Sequence, residues 1–435
     1  MGKGIICIVL CVSRVVALVL QQDILMQKRN FVRRNAIEER RESYNIGRDE
    51  KPNLSGRIPD CPKTIWDAEN IDIGKELSMS TIKGPCPLEW KAPSGSEGIE
   101  YFQKNKDEIG KKLIEHGCIW LRGFDLMKTE EGFRAMYEAL EMEPCLDPIH
   151  TSGLRAFASE SDAIYEEVNK QNLRTHYIGL HQESTHKKTA TFGAFVCFFP
   201  ATIEGGEFLI ADAAKILKDL DPKIAQEIYE KKIRISVSNL DLDLLANTGP
   251  LKDSLLNGAK EAINTIVAPK FDMDLEMIYG ADGKPYRLQA IEQIASPINR
   301  HPITKTPLWF CNIHNHARYL RDNRPCNVPE VGMTEVYFGD LSPIPHHILD
   351  HINEISEKNI QHIPMQSGDV LLCDNYRILH GRDIFQGDRY HAVTWFLSGF
   401  GIGPSSNQKK DADGGADKPD NFLNNIINKF VVDAF

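Results

Sequence analysis

The sequence has no CxxC pair, although its 435 residues include ten cysteines. Paired cysteines at that spacing are typical of structural zinc sites and redox motifs, so their absence argues against both. Cys197, Cys311 and Cys373 lie inside apolar runs, where a thiol behaves as a small buried hydrophobe. The cysteines therefore form neither a disulfide framework nor a zinc pattern, and we expect the folded part of the chain to occupy a reducing compartment.

A basic surface is also lacking. The formal net charge is -10, and no stretch combines basic and aromatic residues in the manner of a nucleic-acid interface. We therefore expect no nucleic-acid partner. Hydrophobic residues make up 42% of the chain and charged residues 26%, which is ordinary for a globular protein with a large core.

One segment is unlike the rest. Residues 5–20 are almost all apolar and follow a short basic start, which is typical of a signal peptide or anchor. Arg14 interrupts the run, which is shorter than the ~20 residues of a membrane span. We expect membrane targeting through residues 5–20, giving an organelle-targeted or ER-associated protein. The alternative is a buried N-terminal strand and a cytoplasmic protein.

Composition divides the chain into successive parts. Residues 1–20 form the apolar segment, and residues 21–97 are charged and rich in Pro and Gly. Residues 98–403 have the periodicity of a folded domain. Residues 404–435 begin as a flexible linker by composition and end in a short apolar stretch.

The periodicity of apolar residues predicts many short strands with helices before and between them. Helices are predicted over 101–116, 129–140, 214–232 and 346–360, and strands over 118–121, 191–199, 208–211, 233–238, 307–311, 368–373 and 390–397. Residues 145–180 are predicted to be loop, and residues 239–295 to be a mixed helical insertion. The pattern indicates a mainly β fold with flanking helices, as in a double-stranded β-helix (jelly roll) with helical insertions.

A metal centre is indicated by His181-Gln182-Glu183. Side chains two apart on a strand point to the same face, so His181 and Glu183 can bind one ion. The third candidate is His380, which follows the apolar strand between Asp369 and Asp374. Two histidines and one carboxylate on one face of an ion form the facial triad of non-haem Fe(II) oxygenases.

Arg389, nine residues after His380, enters the last predicted strand. A guanidinium binds a carboxylate bidentately, which suits the distal carboxylate of 2-oxoglutarate. The alternative is that Arg389 forms a surface ion pair with Asp383 or Asp388. His314 and His316 also have metal-compatible spacing, but no carboxylate follows them closely, so they are a weaker candidate pair that could instead line a substrate entrance.

These residues together resemble the taurine dioxygenase-like Fe(II)/2-oxoglutarate oxygenases, a family that includes clavaminate synthase and γ-butyrobetaine hydroxylase. The matching segments are Gly117–Phe124; His181–Glu183 followed by Phe195–Phe199; Gly205–Glu207 with Ala211-Asp212; and Asp374-Asn375 through His380–Arg382 to Gly387 and Arg389. The resemblance implies that His181, Glu183 and His380 bind Fe(II), that Arg389 anchors 2-oxoglutarate, and that O2 is the oxidant. Ascorbate would then help as a reductant in vitro.

One position departs from the family pattern. The family usually has Gly-Gly-Glu-Thr, with the Thr hydroxyl bonding the 2-oxoglutarate carboxylate. Here the fourth residue is Phe208. We expect either weaker cosubstrate binding or another hydroxyl in this role, with Thr394 as the candidate.

The resemblance implies hydroxylation of a small, anionic, amino-acid-derived substrate at an unactivated C–H bond, with release of succinate and CO2. Oxidative ring closure or desaturation, as in kainoid synthases, is an alternative outcome. Other classes are an inactive metal-binding sensor or partner protein, which Phe208 favours, and a zinc hydrolase. The candidate substrate residues are Arg155, Arg174, Tyr177, Asn375 and Arg382, and Arg382 could instead pair with Asp383.

Overall fold

The computed structural model describes residues 58–401, except 80–83, 149–156, 160–163, 168–173, 242–272, 280–284 and 328–333. The apolar segment 1–20, most of the charged region 21–97 up to residue 57, the tail 404–435 and Arg155 lie outside the described residues. Among the residues that are described, no helix is both long enough and apolar enough to span a bilayer.

The elements are numbered in chain order. The helices are α1 (Ile73–Met79), α2 (Ile99–His116), α3 (Glu130–Ala139), α4 (Ala213–Asp219), α5 (Pro222–Lys231), α6 (Ile313–His316), α7 (Arg318–Asp322) and α8 (His346–Asn359). The strands are β1 (Leu88–Lys91), β2 (Cys118–Arg122), β3 (Glu143–Cys145), β4 (Phe157–Ser159), β5 (Ile164–Glu167), β6 (Ile178–His181), β7 (Phe192–Phe199), β8 (Glu204–Gly205), β9 (Phe208–Asp212), β10 (Ile233–Asp241), β11 (Met273–Tyr279), β12 (Pro285–Glu292), β13 (Ile298–Arg300), β14 (Pro307–Trp309), β15 (Glu335–Phe338), β16 (Gln361–Ile363), β17 (Val370–Asp374), β18 (Ile378–Arg382), β19 (Phe385–Gln386) and β20 (Tyr390–Ser398).

Two sheets form the centre of the molecule. The larger has the strand order β1-β2-β17-β7-β20-β5-β4, with β3 pairing β20, and the smaller has the order β16-β9-β18-β6. Side chains from both sheets share one core. Phe195, Leu371 and Trp395 come from the larger sheet, and Phe208 and Ile378 from the smaller. The two sheets therefore pack face to face, and the mainly β architecture with flanking helices is confirmed.

Helices cover the outer faces of both sheets. In α2, Phe102, Ile109 and Leu113 are buried at helical spacing, and Gly117 ends the helix with its N–H bonded to the Leu113 carbonyl at 2.7 Å. These side chains join those of α3 against the outer face of the larger sheet. On the other side, α4 and α8 pack on β9. The helices predicted at 101–116, 129–140 and 346–360 are thus confirmed within a few residues.

The predicted helix over 214–232 is wrong in its continuity, because the chain forms two helices. The side chain of Asp221 accepts hydrogen bonds from the N–H groups of Lys223 and Ile224, and Pro222 occupies the first turn of α5. Proline has no N–H and suits a helix start but not a helix interior. The Asp-Pro pair therefore ends α4 and begins α5.

Residues 239–295 and 145–180 also differ from their predictions. Strands β11 and β12 pair antiparallel with each other, and β12 pairs with β10, in a sheet ordered β11-β12-β10-β15. The apolar residues Met273, Leu275, Met277 and Tyr279 of β11 alternate, which is the period of a strand, so the prediction of a helical insertion is wrong here. In the same way, β4 and β5 add to the edge of the larger sheet within the stretch predicted as loop.

Candidate metal centre

His181 and His380 are direct partners across one antiparallel strand pair. β18 pairs with β6 so that His380 lies opposite His181, and the centroids of the two rings are 4.3 Å apart. Glu183 follows the end of β6 rather than lying within it, contrary to the extended His-x-Glu strand that we predicted. One ligand atom from each of His181, Glu183 and His380 lies within 4.8 Å of the other two. The structure thus brings the predicted triad together.

The donor set fits Fe(II). His181 Nδ1 lies 2.9 Å from the carbonyl of Gly179. A carbonyl only accepts, so Nδ1 carries the proton and Nε2 presents its lone pair, the usual arrangement of a metal-binding histidine. Glu183 and His380 are buried and His181 is half-buried. Two imidazoles and one carboxylate can hold one face of an iron ion and leave the opposite face open.

Side chains from the segment around α6 hold the strand that carries His181. β6 is an edge strand of the smaller sheet. Its region donates backbone N–H groups to side-chain acceptors instead of a neighbouring strand: Gly179 to Asn315 Oδ1 at 2.9 Å, Leu180 to His314 Nδ1 at 2.8 Å, and Gln182 to Asn312 Oδ1 at 2.9 Å. A Cβ at Gly179 would lie 2.8 Å from the His314 carbonyl oxygen, so glycine permits this close approach.

Asn375 fixes the backbone of Glu183. Its Oδ1 accepts the Glu183 N–H at 3.1 Å, while Nδ2 donates to the carbonyls of Glu183 at 3.0 Å and Ala190 at 2.9 Å. These bonds use most of the hydrogen-bonding capacity of the amide. Asn375 is thus a positioning residue for the carboxylate ligand, and the substrate-binding role predicted for it does not fit this geometry.

His314 has a structural role. Its Nδ1 accepts the Leu180 N–H, and its Nε2 lies 3.3 Å from Glu357 Oε1 and within hydrogen-bonding distance of Arg324 Nη2. Burial lowers the pKa of His314 to about 4, so the ring stays neutral. The metal-capable groups found within the described residues contain neither His314 nor His316. The alternative metal site is therefore not supported.

Arg389 is buried directly before β20, next to His391. Arg389 Nη2 donates to His391 Nδ1 at 3.0 Å. Burial, together with the charges of Arg389 and Arg382, holds the pKa of His391 well below its usual value, so this imidazole is neutral. Gly206 of the Gly-Gly-Glu motif has a positive φ of 73°, which favours glycine, and a Cβ there would lie 3.1 Å from Arg389 Cδ. The sequence signal for His391 is its position two residues after Arg389, since side chains two apart in an extended chain lie on one face.

Phe208 closes the position where the family pattern has a hydroxyl. Its ring is nearly parallel to that of His380, with ring centroids 6.1 Å apart and an interplanar angle of 6°. The centroids of the Phe208 and Phe195 rings are 4.5 Å apart. Trp395 is a further aromatic residue beside His380, and the centroids of these two rings are 5.8 Å apart. The group that replaces the hydroxyl must therefore come from elsewhere.

Thr394 is on the wrong face of β20 for that role. Val393 and Trp395 face the core between the sheets, whereas Ala392 and Phe396 face the outer core under α2 and α3. Alternation along the strand puts Thr394 with the second set. Its Oγ1 is buried and has no hydrogen-bond partner among the described residues. The predicted contact of Thr394 with 2-oxoglutarate does not fit this arrangement.

Asn375 aside, Arg382 is the predicted substrate residue within the described part of the chain that has a buried side chain near the triad. It shares the inward face of β18 with His380, and Nη2 donates to the His176 carbonyl at 2.7 Å. The Cζ atom of Arg382 lies 4.9 Å from the centroid of the Phe385 ring, and the Cζ atom of Arg389 lies 5.8 Å from the same centroid. The side chain of Arg174 is exposed, and Tyr177 is half-buried beneath the guanidinium of Arg324 at 5.2 Å.

A second metal-capable group lies outside this centre. Glu207, His362 and Asp383 also bring one ligand atom each to within 4.8 Å of the others, and His362 Nδ1 is 3.0 Å from Glu207 Oε2. His362 is exposed and the two carboxylates are half-exposed, so water competes for any ion there. Burial therefore favours the His181 group as the functional centre.

Comparison with known proteins decides the assignment. The family model described as taurine catabolism dioxygenase TauD, TfdA family, matches residues 89–395, which is more than half of the chain and includes the whole triad. The chain belongs to the TauD/TfdA family. It is accordingly an Fe(II)- and 2-oxoglutarate-dependent dioxygenase that uses O2 as cosubstrate.

Two curated relatives illustrate this TauD/TfdA membership. The dapdiamide synthesis protein DdaC of Enterobacter agglomerans is 25% identical over 299 residues, covering 67% of this chain and 84% of the relative. A clavaminate synthase-like protein of Arabidopsis thaliana is 35% identical over 82 residues, which cover 19% of this chain and 23% of that protein.

Solved structures are similar at lower identity. PvcB from Pseudomonas aeruginosa has a TM-score of 0.42 at 14% identity, covering 72% of this chain and 87% of that one. Asparagine oxygenase, solved with Fe(II), a hydroxyasparagine and succinate, has a TM-score of 0.38 at 12% identity, covering 68% of this chain and 78% of that one.

Proposed function

We propose that this TauD/TfdA enzyme hydroxylates an unactivated C–H bond of a small, carboxylate-bearing, amino-acid-derived substrate, with release of succinate and CO2. The observation that carries the proposal is the convergence of His181, Glu183 and His380 at one buried point. We further propose that the two packed sheets are a double-stranded β-helix, since a strand pair from one sheet supplies both histidines. Targeting through residues 5–20, with an organelle or ER location, remains part of the proposal.

In this proposal each side chain has a distinct task. His181, Glu183 and His380 hold Fe(II), which, when bound with 2-oxoglutarate and O2, supplies the oxidant that attacks the C–H bond. Arg389 binds the distal carboxylate of 2-oxoglutarate through its guanidinium. His391, held neutral beside Arg389, orients that guanidinium. Phe195, Phe208 and Trp395 surround His380 and exclude water from the centre.

Two features support an acidic, amino-acid-derived substrate. Arg382 is buried on the same face as His380, so positive charge lies near the reacting position. The relative DdaC is named for the synthesis of dapdiamide, and that name is consistent with biosynthetic chemistry on small molecules. Ring closure and desaturation use the same residues and are distinguished by product analysis.

The test measures succinate formed from 2-oxoglutarate with Fe(II), ascorbate and O2, first alone and then with a panel of acidic amino-acid derivatives analysed by mass spectrometry. A product heavier by one oxygen supports hydroxylation, whereas loss of two hydrogens identifies ring closure or desaturation. No 2-oxoglutarate binding and no succinate under any condition would favour the inactive sensor protein. Activity with Zn(II) and without O2 would favour a hydrolase.

Arg389→Met tests the cosubstrate anchor. We expect the KM for 2-oxoglutarate to rise by about 10- to 100-fold, since a charge-assisted bidentate contact is lost. Arg122→Met, which removes a half-exposed guanidinium paired with Glu89, is the matched control and should leave this KM unchanged. An unchanged KM in Arg389→Met would assign the anchor to another residue.

A further inference from the structure

Arg321 is a buried cation that no motif in the sequence marks. It lies in α7 with 5% of its surface exposed. Nη1 donates to the Thr334 hydroxyl at 2.7 Å and Nη2 to the Thr334 carbonyl. Nε is buried without a hydrogen-bond partner among the described residues, and within them Arg321 forms no ion pair. Burying a charge without a carboxylate partner is costly, so such a group calls for a ligand.

His176 is a second buried group with spare hydrogen-bonding capacity. It lies two residues before β6 and is 8% exposed, and its Nδ1 has no hydrogen-bond partner among the described residues. The next residue, Tyr177, donates its N–H to the Pro325 carbonyl at 2.9 Å, which ties this segment to the chain just after α7. Burial and the charges of Arg382 and Arg321 lower the pKa of His176 to about 4, so the ring is neutral.

His316 connects this pair to the metal centre. The Thr334 hydroxyl that accepts from Arg321 donates in turn to the His316 carbonyl at 3.1 Å. Burial and the proximity of Arg321 and His181 hold the pKa of His316 well below its usual value. The neutral ring of His316 thus lies within electrostatic range of both Arg321 and a triad ligand.

We propose that Arg321 and His176 form an anion subsite beside the triad, which binds the carboxylate of the prime substrate. The inference rests on the proposed function, because it says where that acidic substrate is held. A carboxylate can accept from Arg321 Nε–H and from His176 in its Nδ1–H tautomer. Arg382, bonded to the His176 carbonyl, adds positive charge on the other side.

Glu335 and Asp322 are the carboxylates near α7 that the structure describes, and neither forms an ion pair with Arg321. Glu335 Oε1 accepts the N–H groups of Val336 at 2.8 Å and Arg318 at 3.2 Å, and Asp322 pairs with Arg318 at 3.6 Å. Both carboxylates lie near enough to Arg321 to favour its charge. They are directed to other partners, so the Nε edge of the guanidinium remains available for a ligand.

The experiment titrates the full-length protein, loaded with Zn(II) and N-oxalylglycine, with sodium acetate. Binding is followed through the ring-nitrogen resonances of 15N-labelled histidines. Methanesulfonate and methylphosphonate are the alternative anions, and acetamide is the neutral analogue. The variants are Arg321→Met, Arg321→Lys and the control Arg318→Met, which removes a more exposed arginine from the same helix.

We expect acetate to shift the His176 signals saturably and acetamide to leave them unchanged. Arg321→Met should weaken acetate binding by about tenfold or more, since a charge-assisted contact is lost. Arg321→Lys should bind with intermediate affinity, and Arg318→Met should match the wild type. Equal acetate affinity in Arg321→Met and wild type, or an equal response to acetamide, would overturn the subsite. Tighter binding of either other anion would overturn the choice of carboxylate.

Folding and function are separated by two further measurements. If Arg321→Met does not fold, His176→Phe replaces it, with the acetate-induced rise in the melting temperature as the readout; the rise should disappear, and its persistence would overturn the subsite. Succinate formation by the Fe(II)-loaded wild type tests the proposed function independently. Its absence would refute that function while the Zn(II) titration still reports on the subsite.

Discussion

The two histidines of the metal centre lie opposite each other, yet the strands that carry them are held in different ways. β18, with His380, is paired with β9 on one side and β6 on the other. β6, with His181, is an edge strand whose region is bonded to side chains of Asn312, His314 and Asn315. Backbone pairing thus builds one half of the triad, and side chains from distant parts of the sequence build the other. The second half should be the more sensitive to substitution of residues that do not touch the metal.

We expect the largest loss of activity when a metal ligand is removed. The loss should be equal for the ligand on β18 and the ligand on β6. His380→Ala and His181→Ala should each lower succinate formation at least about a thousandfold, because members of a catalytic unit are not additive. Fe(II) affinity, measured by calorimetry without oxygen, should fall in parallel. His314→Ala should retain turnover. If His314→Ala abolished succinate formation while His380→Ala retained it, the metal site would be misassigned.

Asn375→Ala tests whether residues that do not touch the metal support the half of the centre that contains His181 and Glu183. It removes the amide that fixes the backbone of Glu183, so we expect Fe(II) affinity to fall about 10- to 100-fold, the usual effect of losing a group that orients a ligand. Asn323→Ala, at an exposed amide that donates to the Tyr319 carbonyl, is the matched control. Wild-type metal affinity in Asn375→Ala would show that Glu183 is held by other contacts.

His314→Ala should act on stability more than on the metal. Its loss leaves the buried N–H of Leu180 without an acceptor, which costs about 1–3 kcal/mol in the free energy of unfolding. Denaturant titration measures this change, with His347→Ala at the exposed start of α8 as control. If both variants unfold at the same denaturant concentration, the side-chain support of β6 is unimportant.

Thr394→Val is expected to have the smallest effect. The hydroxyl lies on the face of β20 away from His380 and has no hydrogen-bond partner among the described residues. The KM for 2-oxoglutarate should stay unchanged, and stability should change by no more than about 1 kcal/mol. A rise in KM comparable to that of Arg389→Met would restore Thr394 as a cosubstrate ligand.

The half of the centre that backbone pairing builds is the half that the sequence predicts well. The apolar strand before Asp374, the loop and His380 are close together in the chain, so periodicity and motif suffice to locate them. The contacts of β6 join residues more than a hundred positions apart, and no local pattern predicts them. The sequence therefore suggests functional roles for His314 and Asn375, whose side chains in the structure bond to backbone groups.

The same physical limit explains the other misses. The helix α6 has four residues, too few to show a helical period of apolar residues. In the sequence, the buried Arg321 cannot be distinguished from the more exposed Arg318 in the same helix. β11 pairs with β12, and its alternating apolar residues are a strand signal that the prediction of a helical insertion did not use. The hydroxyl makes Thr394 a candidate in the sequence, but its position along β20 turns it away from the metal centre.

The edge position of β6 has a consequence for how the protein opens. An edge strand held by a few side-chain bonds is expected to detach at a lower free energy than the strands inside a sheet. A bound ion crosslinks β6 to β18 through His181 and His380, whose positions lie about two hundred residues apart, and so closes a very long loop. Any ligand of the closed state alone raises the free energy of opening. Amide hydrogen exchange in β6 should therefore slow with increasing metal concentration, so that this strand reports on the iron status of the enzyme.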